Sequence, residues 1–375
     1  AGNYLHEGFE ETKDTLARLG GDEFVLLLPN IDSTNAAVSV ADKVLLQLQE
    51  KFCINGVEVF SSTSIGMAFY PENGEDADSL LRHADMAMYA AKDDGRSCYH
   101  LFSSEMHEAI VQRHKLAEEL RIAIVRQEFE LHFQPQVDVV SEKIVGAEAL
   151  VRWQHPQRGL IMPGCFISVA EETGQIQALG EWIFRSACKQ LRTWLDQGLD
   201  NFKLSINLSA HRLEQTDFID RVEQILREND INPNLLELEL TESTMLSDME
   251  RATALLKMLK GRGFTLAMDD FGTGYSSLSY LKQLPFDQVK IDQSFIRGIN
   301  VNDGDTILVK TILSMARHLN LSVVAEGVET YEQFAYLRQL GCARAQGFYF
   351  SRPLPPDDFA ESLFSSQFNS QISLA

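Results

Sequence analysis
The sequence predicts an α/β protein whose larger part is a (β/α)8, TIM-like barrel, preceded by a smaller α+β region. Three observations point there. From Glu128 onward, eight short apolar runs alternate with helically spaced segments, and the stretch has the length of about 250 residues that such a barrel needs. Six of those runs deliver a polar group at or near their exits, and a barrel collects strand ends at one face. With 375 residues, 45% of them hydrophobic, the chain is also long enough for a second, smaller core ahead of the barrel.

The first region is expected to span residues 1–102. Residues 1–19 offer no clear strand. Gly20-Gly21-Asp22-Glu23 then leads into the apolar run Phe24–Leu28, which predicts a hairpin whose glycines supply unusual φ and room for close ligand approach. Asn35–Lys51 has helical spacing, Val57–Phe69 reads as strand, and Asp78–Lys92 reads as an amphipathic helix. Residues 103–121 begin with a hydroxyl cap and an early acid, and predict a connecting helix. The barrel is expected over 122–375. Its strands are expected at 130–134, 143–152, 203–208, 235–240, 265–269, 288–292, 321–325 and 344–350.

The barrel strands carry the chemistry. The run Leu266-Ala-Met-Asp-Asp-Phe-Gly-Thr-Gly-Tyr275 ends in Asp269 and Asp270 and enters a two-glycine loop. Other runs offer Glu148, Asn207, Glu239, Glu242, Lys290, Glu326 and Glu329. Buried carboxylates are costly unless they meet a cation, so convergence on a metal site is predicted. Oxygen-only ligands select Mg2+ or Mn2+, whereas zinc would show His or Cys. A net charge of −21 argues against a nucleic-acid polymer or an anionic membrane as partner. The five cysteines form no CxxC pair, and there is no apolar run near 18 residues. The covered chain is therefore expected to be cytoplasmic, with a membrane-anchored sensor upstream left open. Asp270-Phe-Gly272 matches the metal triplet of kinases, but no glycine-rich nucleotide loop or His-Arg-Asp loop accompanies it.

Two family resemblances follow from these residues. RLGGDEF (18–24), SIGMAFYP (64–71) and ADMAMYAAKDDGR (84–96) resemble the second half of a GGDEF diguanylate cyclase domain, a nucleotide-cyclase-like α+β fold. That likeness implies that Gly20 and Gly21 approach a guanine nucleotide such as GTP, and that Asp22 or Glu23 holds a metal. Lys92 and Arg96 match residues near the triphosphate. The family's earlier half and its Arg-x-x-Asp inhibition motif are not visible, which favours a regulatory domain. EALVRW (148–153), NLS (207–209), ELTES (239–243), DDFGTGYSSL (269–278), VKID (289–292), AEGVE (325–329) and QGFYFSRP (346–353) occur in order and resemble an EAL domain, a phosphodiesterase of cyclic di-GMP.

The EAL likeness implies a modified barrel with an antiparallel first strand. It implies two Mg2+ or Mn2+ ions, with Glu148, Asn207, Glu239 and Asp269 on the first and Asp270 and Glu326 completing the second. Lys290 would orient or deprotonate the attacking water, with Glu326 the rival base. Gln346 would hold that water. Gln134, Arg152, Asp292, Glu329 and Arg352 are the candidate substrate contacts. Glu242 would anchor the loop 271–277 as a gate, and the domain would pair as a homodimer. The product would be linear pGpG. A silent cyclic di-GMP receptor and a bifunctional enzyme that also makes cyclic di-GMP are the alternatives.

Overall fold
The computed structural model describes residues 14–49, 51–54, 57–59, 61–209, 217–241, 249–273, 281, 283–299 and 301–364. The chain divides into two compact units, Ala1–Lys115 and Leu116–Ala375.

In the first unit, β1 (Thr15–Gly20) and β2 (Glu23–Leu27) form the antiparallel hairpin predicted around Gly20 and Gly21. Gly21 takes the left-handed φ of +51° that the turn requires, and the Arg18 guanidinium closes the turn by donating to its carbonyl at 2.9 Å. Asp22 sits in this turn and Glu23 opens β2, both exposed. Helix α1 (Thr34–Gln49), the hairpin β3 (Phe52–Ile54) with β4 (Val57–Val59), β5 (Ile65–Met67), α2 (Ala77–Asp93) and β6 (Tyr99–Leu101) follow. The strand expected over 57–69 is thus two short pieces in different sheets, because β5 pairs in parallel with β6 rather than extending β4. Asp76 caps α2 through a reciprocal box with Ser79. Helix α3 (Ser104–Arg126) is longer than expected, and the division between the units falls inside it.

The second unit is a closed eight-stranded barrel. Its strands are β7 (Phe129–Asp138), β8 (Ile144–His155), β10 (Lys203–Asn207), β11 (Leu236–Thr241), β12 (Thr265–Phe271), β13 (Gln288–Ile291), β14 (Ser322–Ala325) and β15 (Arg344–Ala345). A short strand β9 (Gly159–Ile161) prolongs β8 as a hairpin. Strand β7 is antiparallel to both neighbours, as the family likeness implied. The remaining pairs are parallel, and the β8–β10 pairing closes the ring. The last strand is far shorter than the expected 344–350, since from Gly347 onward the backbone turns, with Tyr349 donating to the Val328 carbonyl and only Leu354 bridging back to Phe133 of β7.

Helices α4 (Ile167–Glu172), α5 (Ile176–Asp196), α6 (Phe218–Asn229), α7 (Met249–Gly261), α8 (Gln293–Arg297), α9 (Asp303–His318), α10 (Tyr331–Gln339) and α11 (Pro356–Phe364) accompany the strands. Their apolar faces match the outward positions of the sheet. Leu179, Phe184, Ala187, Leu191 and Trp194 of α5 are all buried, and Trp194 meets Phe133 of β7 edge-on at 4.7 Å between centroids. Trp153 and Trp194 are completely buried, as packing residues should be. In β11 the leucines 236, 238 and 240 alternate with Glu237 and Glu239, so one face is apolar and the other acidic. This period-two switch is what aims carboxylates into the barrel.

Candidate active site
The inward positions of the barrel are polar in two successive levels. The upper level holds the predicted cluster. Lys290, from β13, is fully buried, with Nζ 2.7 Å from Glu239, 2.7 Å from Glu326, 3.1 Å from Asp269 and 3.6 Å from Glu148. Asn207, at the end of β10, donates through Nδ2 to Glu148 Oε1 at 2.7 Å. Gln346 donates through Nε2 to Glu148 Oε2 at 2.6 Å and to Gln134 Oε1 at 3.0 Å. Eight sequence-distant segments therefore meet at one point. Glu148 does not close its strand, since β8 runs on to His155, where it pairs with β9.

Adjacent residues of a strand face opposite ways, so Asp269 and Asp270 would not normally share a site. Two features of β12 overcome this. The register against β13 shifts between Met268 and Phe271, and Asp270 adopts φ +53°, an uncommon value for a residue with a side chain. Asp269, Asp270 and Glu326 consequently present oxygens that all lie within 4.8 Å of one another. Such strain at a cluster of acids points to function. Gly327, next to Glu326, is left-handed too, at φ +66°, and a Cβ there would lie 2.4 Å from Gln293 Cβ.

Charge is unevenly shared. Burial pushes the Glu148 carboxyl up, but the Lys290 ammonium and the donors Gln346 and Asn207 outweigh it and hold it below its ordinary value. Glu239 is held well above: burial raises it, and the neighbouring acids Glu148, Asp269 and Glu237 add to that against the pull of Lys290. Asp270 is raised by burial and by Asp269 and Asp292. Lys290, which burial would lower, is raised well above its usual value by the four carboxylates around it. In this arrangement the ammonium is a counter-ion and a donor to the carboxylates.

Glu326 is pushed up to about 8, first by burial and then by Asp269 and Glu148, against Lys290. A carboxyl raised on folding binds a proton that the unfolded chain has released. Its contribution to stability is therefore full below the ordinary 4.5 and is lost as pH rises through about 8. In chelator-treated protein, the melting temperature should fall between about pH 5 and pH 8 more steeply in the wild type than in Glu326→Gln. Parallel slopes would remove Glu326 from this account.

The donor set fits divalent cations. It is built of carboxylate and amide oxygens, and the buried atoms Glu239 Oε1 and Gln346 Oε1 have no hydrogen-bond partner. Those are the atoms a hard cation would satisfy.

The other predicted residues are more dispersed. Arg152, buried, lies four residues along β8 from Glu148 and donates to the Val151 carbonyl at 2.9 Å. Asp292 caps α8, accepting from the Ser294 amide at 2.9 Å. Glu329 is exposed and lies 3.4 Å from Arg297. The Arg352 guanidinium stacks over the exposed Phe348 ring at 4.4 Å. Glu242 and residues 274–277 of the expected gate lie outside the described residues.

A lower level was missed by sequence reasoning. Gln136, Ser205, Glu237 and Gln288 are completely buried beneath the cluster. Ser205 donates to Glu237 Oε1 at 2.9 Å, and Gln288 to the same atom at 2.7 Å. Arg344 reaches Glu237 at 3.2 Å and also bonds Gln136 and Gln288. Each sits two residues from a member of the upper cluster: 136 after 134 on the antiparallel strand β7, and 205 before 207, 237 before 239, 288 before 290 and 344 before 346 on the parallel strands. Period-two alternation marks these residues as inward-facing, but not the partners that they meet.

The EAL domain family model matches residues 117–353, and the chain belongs to that family. The model of the diguanylate cyclase GGDEF domain matches residues 1–98, so the chain joins a GGDEF region to an EAL barrel. Among curated relatives, the bifunctional diguanylate cyclase/cyclic di-GMP phosphodiesterase MucR of Pseudomonas aeruginosa is 42% identical over 94% of this chain and 51% of its own length. The cyclic di-GMP phosphodiesterase PdeR of Escherichia coli is 39% identical over 92% of this chain and 52% of its own. The chain thus spans about half the length of these relatives. Among solved structures, the PaMucR phosphodiesterase in complex with c-di-GMP aligns with TM-score 0.64 and 43% identity, covering 65% of this chain and 99% of that one. Membership of the EAL family implies dependence on divalent metal in general. Among the described residues, no helix is long and apolar enough to cross a membrane.

Proposed function
We propose that the chain is a cyclic di-GMP phosphodiesterase that opens one 3′–5′ phosphodiester to give linear pGpG. The observation that supports this most is the meeting of Glu148, Glu239, Asp269 and Glu326 around Lys290. Two Mg2+ or Mn2+ ions would supply an activated water and neutralise charge on the phosphoryl oxygens. Glu148, Asn207, Glu239 and Asp269 are proposed to hold one, and Asp269, Asp270 and Glu326 the other. Gln346, fixed by Glu148 and Gln134, orients the nucleophile. Lys290 keeps the carboxylates together and donates. Glu326 is proposed to take the proton, with Lys290 the rival base. Arg152 is the proposed phosphate partner, with Gln134 beside it. Asp292, Glu329 and Arg352 are proposed farther out along the nucleotide.

The proposed domain bounds are 1–102 for the GGDEF region, 103–121 for the connecting helix and 122–375 for the EAL barrel. The first region is proposed to regulate, and the chain to act in the cytoplasm as a homodimer through its EAL domain. A second reading, cyclase activity on GTP, is favoured by the bifunctional relative MucR and by the exposed turn Gly20–Glu23.

Incubation with cyclic di-GMP and Mg2+, followed by nucleotide chromatography, should yield pGpG. Binding without product would favour a receptor instead, and GTP in the same assay tests the second reading. Replacing Mg2+ with Ca2+ should abolish turnover, because Ca2+ takes longer and looser coordination. Equal rates with both ions would count against paired octahedral sites.

A further inference from the structure
Outside the barrel, the end of α2 and the start of β6 gather a second set of ligand-type side chains. Asp94, Cys98 and His100 offer an oxygen, a sulfur and a nitrogen, all within 4.8 Å of one another. His100 Nε2 lies 3.2 Å from Asp94 Oδ2. The Cys98 thiol donates to the Ala91 carbonyl at 3.2 Å, which places the sulfur at the C-terminal end of α2. Gly95, Arg96 and Ser97 are left-handed in succession, at φ +95°, +63° and +52°, and this reversal returns Cys98 and His100 to Asp94.

We propose that Asp94, Cys98 and His100 bind one divalent ion of the zinc class. The chemistry differs from the barrel cluster, where all donors are oxygens. A thiolate and an imidazole with one carboxylate suit a borderline-soft ion and not Mg2+. Bonds of about 2.0–2.3 Å in a tetrahedron separate ligand atoms by roughly 3.3–3.8 Å. The Asp94–His100 pair is already that close, and the remaining separations need only about 1 Å of side-chain rotation. The negative end of the helix dipole lies at the same place and favours a cation. Of the nearby cations, Lys92 is directed over the Tyr89 ring, 5.9 Å from its centroid. Binding forms a sulfur–metal bond and releases the Cys98 proton to solvent. The fourth position faces water, since the Asp94 side chain is 74% exposed. Cys98 is the last residue that the GGDEF family model matches, and His100 lies beyond it.

The test is Co2+ titration of the intact chain with Mg2+ in excess to occupy the oxygen sites. One equivalent should give a near-ultraviolet sulfur-to-cobalt band together with the visible bands of a four-coordinate ion. Cys98→Ser should lose the ultraviolet band. His100→Ala and Asp94→Asn should weaken Co2+ binding by at least the roughly tenfold that even an outer partner is worth. Cys53→Ser and Cys165→Ser, at the two exposed thiols, should leave the band unchanged. Zn2+ should raise the melting temperature of the wild type and not of Cys98→Ser, with far-ultraviolet dichroism showing that each variant is folded. No sulfur band, or one that survives in Cys98→Ser, would overturn the site.

Discussion

Glu148→Ala is expected to abolish hydrolysis of cyclic di-GMP, with a loss of about 10³-fold or more, some 4 kcal/mol of transition-state stabilisation. The size follows from its position. Glu148 accepts from Asn207 at 2.7 Å and from Gln346 at 2.6 Å, and it lies 3.6 Å from Lys290. Its removal takes away a proposed cation ligand and also frees the two amides that it orients. The fold should survive, because deleting a buried carboxylate also removes its desolvation cost, and Lys290 keeps three other partners. Glu148→Gln separates the two roles. Asn207 and Gln346 donate to different oxygens of the carboxylate, so the one carbonyl oxygen of Gln replaces only one of those acceptors, and it carries no charge. It should bind cyclic di-GMP near wild-type strength yet turn over as slowly as Glu148→Ala. Wild-type rates in either variant would remove Glu148 from the mechanism.

The barrel was legible because its signals are local. Leu236, Leu238 and Leu240 alternate with Glu237 and Glu239, and such alternation marks both a strand and the face it aims inward. The helices flanking the strands follow from the same reasoning. Three things were not legible, each for a physical reason. Asp270 reaches the cluster only through a bulge and a left-handed φ, which pairing with β13 sets. The lower polar level depends on Arg344 reaching Glu237 across the barrel, a contact between residues far apart in sequence. Asp292, Glu329 and Arg352 are candidate ligand contacts by their motifs, but no periodicity foretells the helix cap, the surface ion pair and the stacked ring that their side chains form here. Strand periodicity tells which way a side chain points. It does not tell what that side chain meets.

Lys290→Met should separate stability from catalysis more cleanly than any other change. Its ammonium is completely buried and stands among four carboxylates. Removing one partner of a buried ionic set costs about 3–5 kcal/mol, because the charges left behind have no counter-ion. Treated with a chelator, the variant should melt on the order of 10 °C below the wild type. Divalent ions bind the folded state and supply the missing positive charge, so millimolar Mg2+ should restore most of that loss. Turnover should remain depressed at least about 10²-fold even then, because Mg2+ cannot replace a donor fixed among Glu239, Asp269 and Glu326. If Lys290 served only as a structural counter-ion, stability and turnover would recover together. Thermal melts and pGpG formation measured across the same Mg2+ series decide between the two, and parallel recovery would reduce Lys290 to a charge-balancing residue.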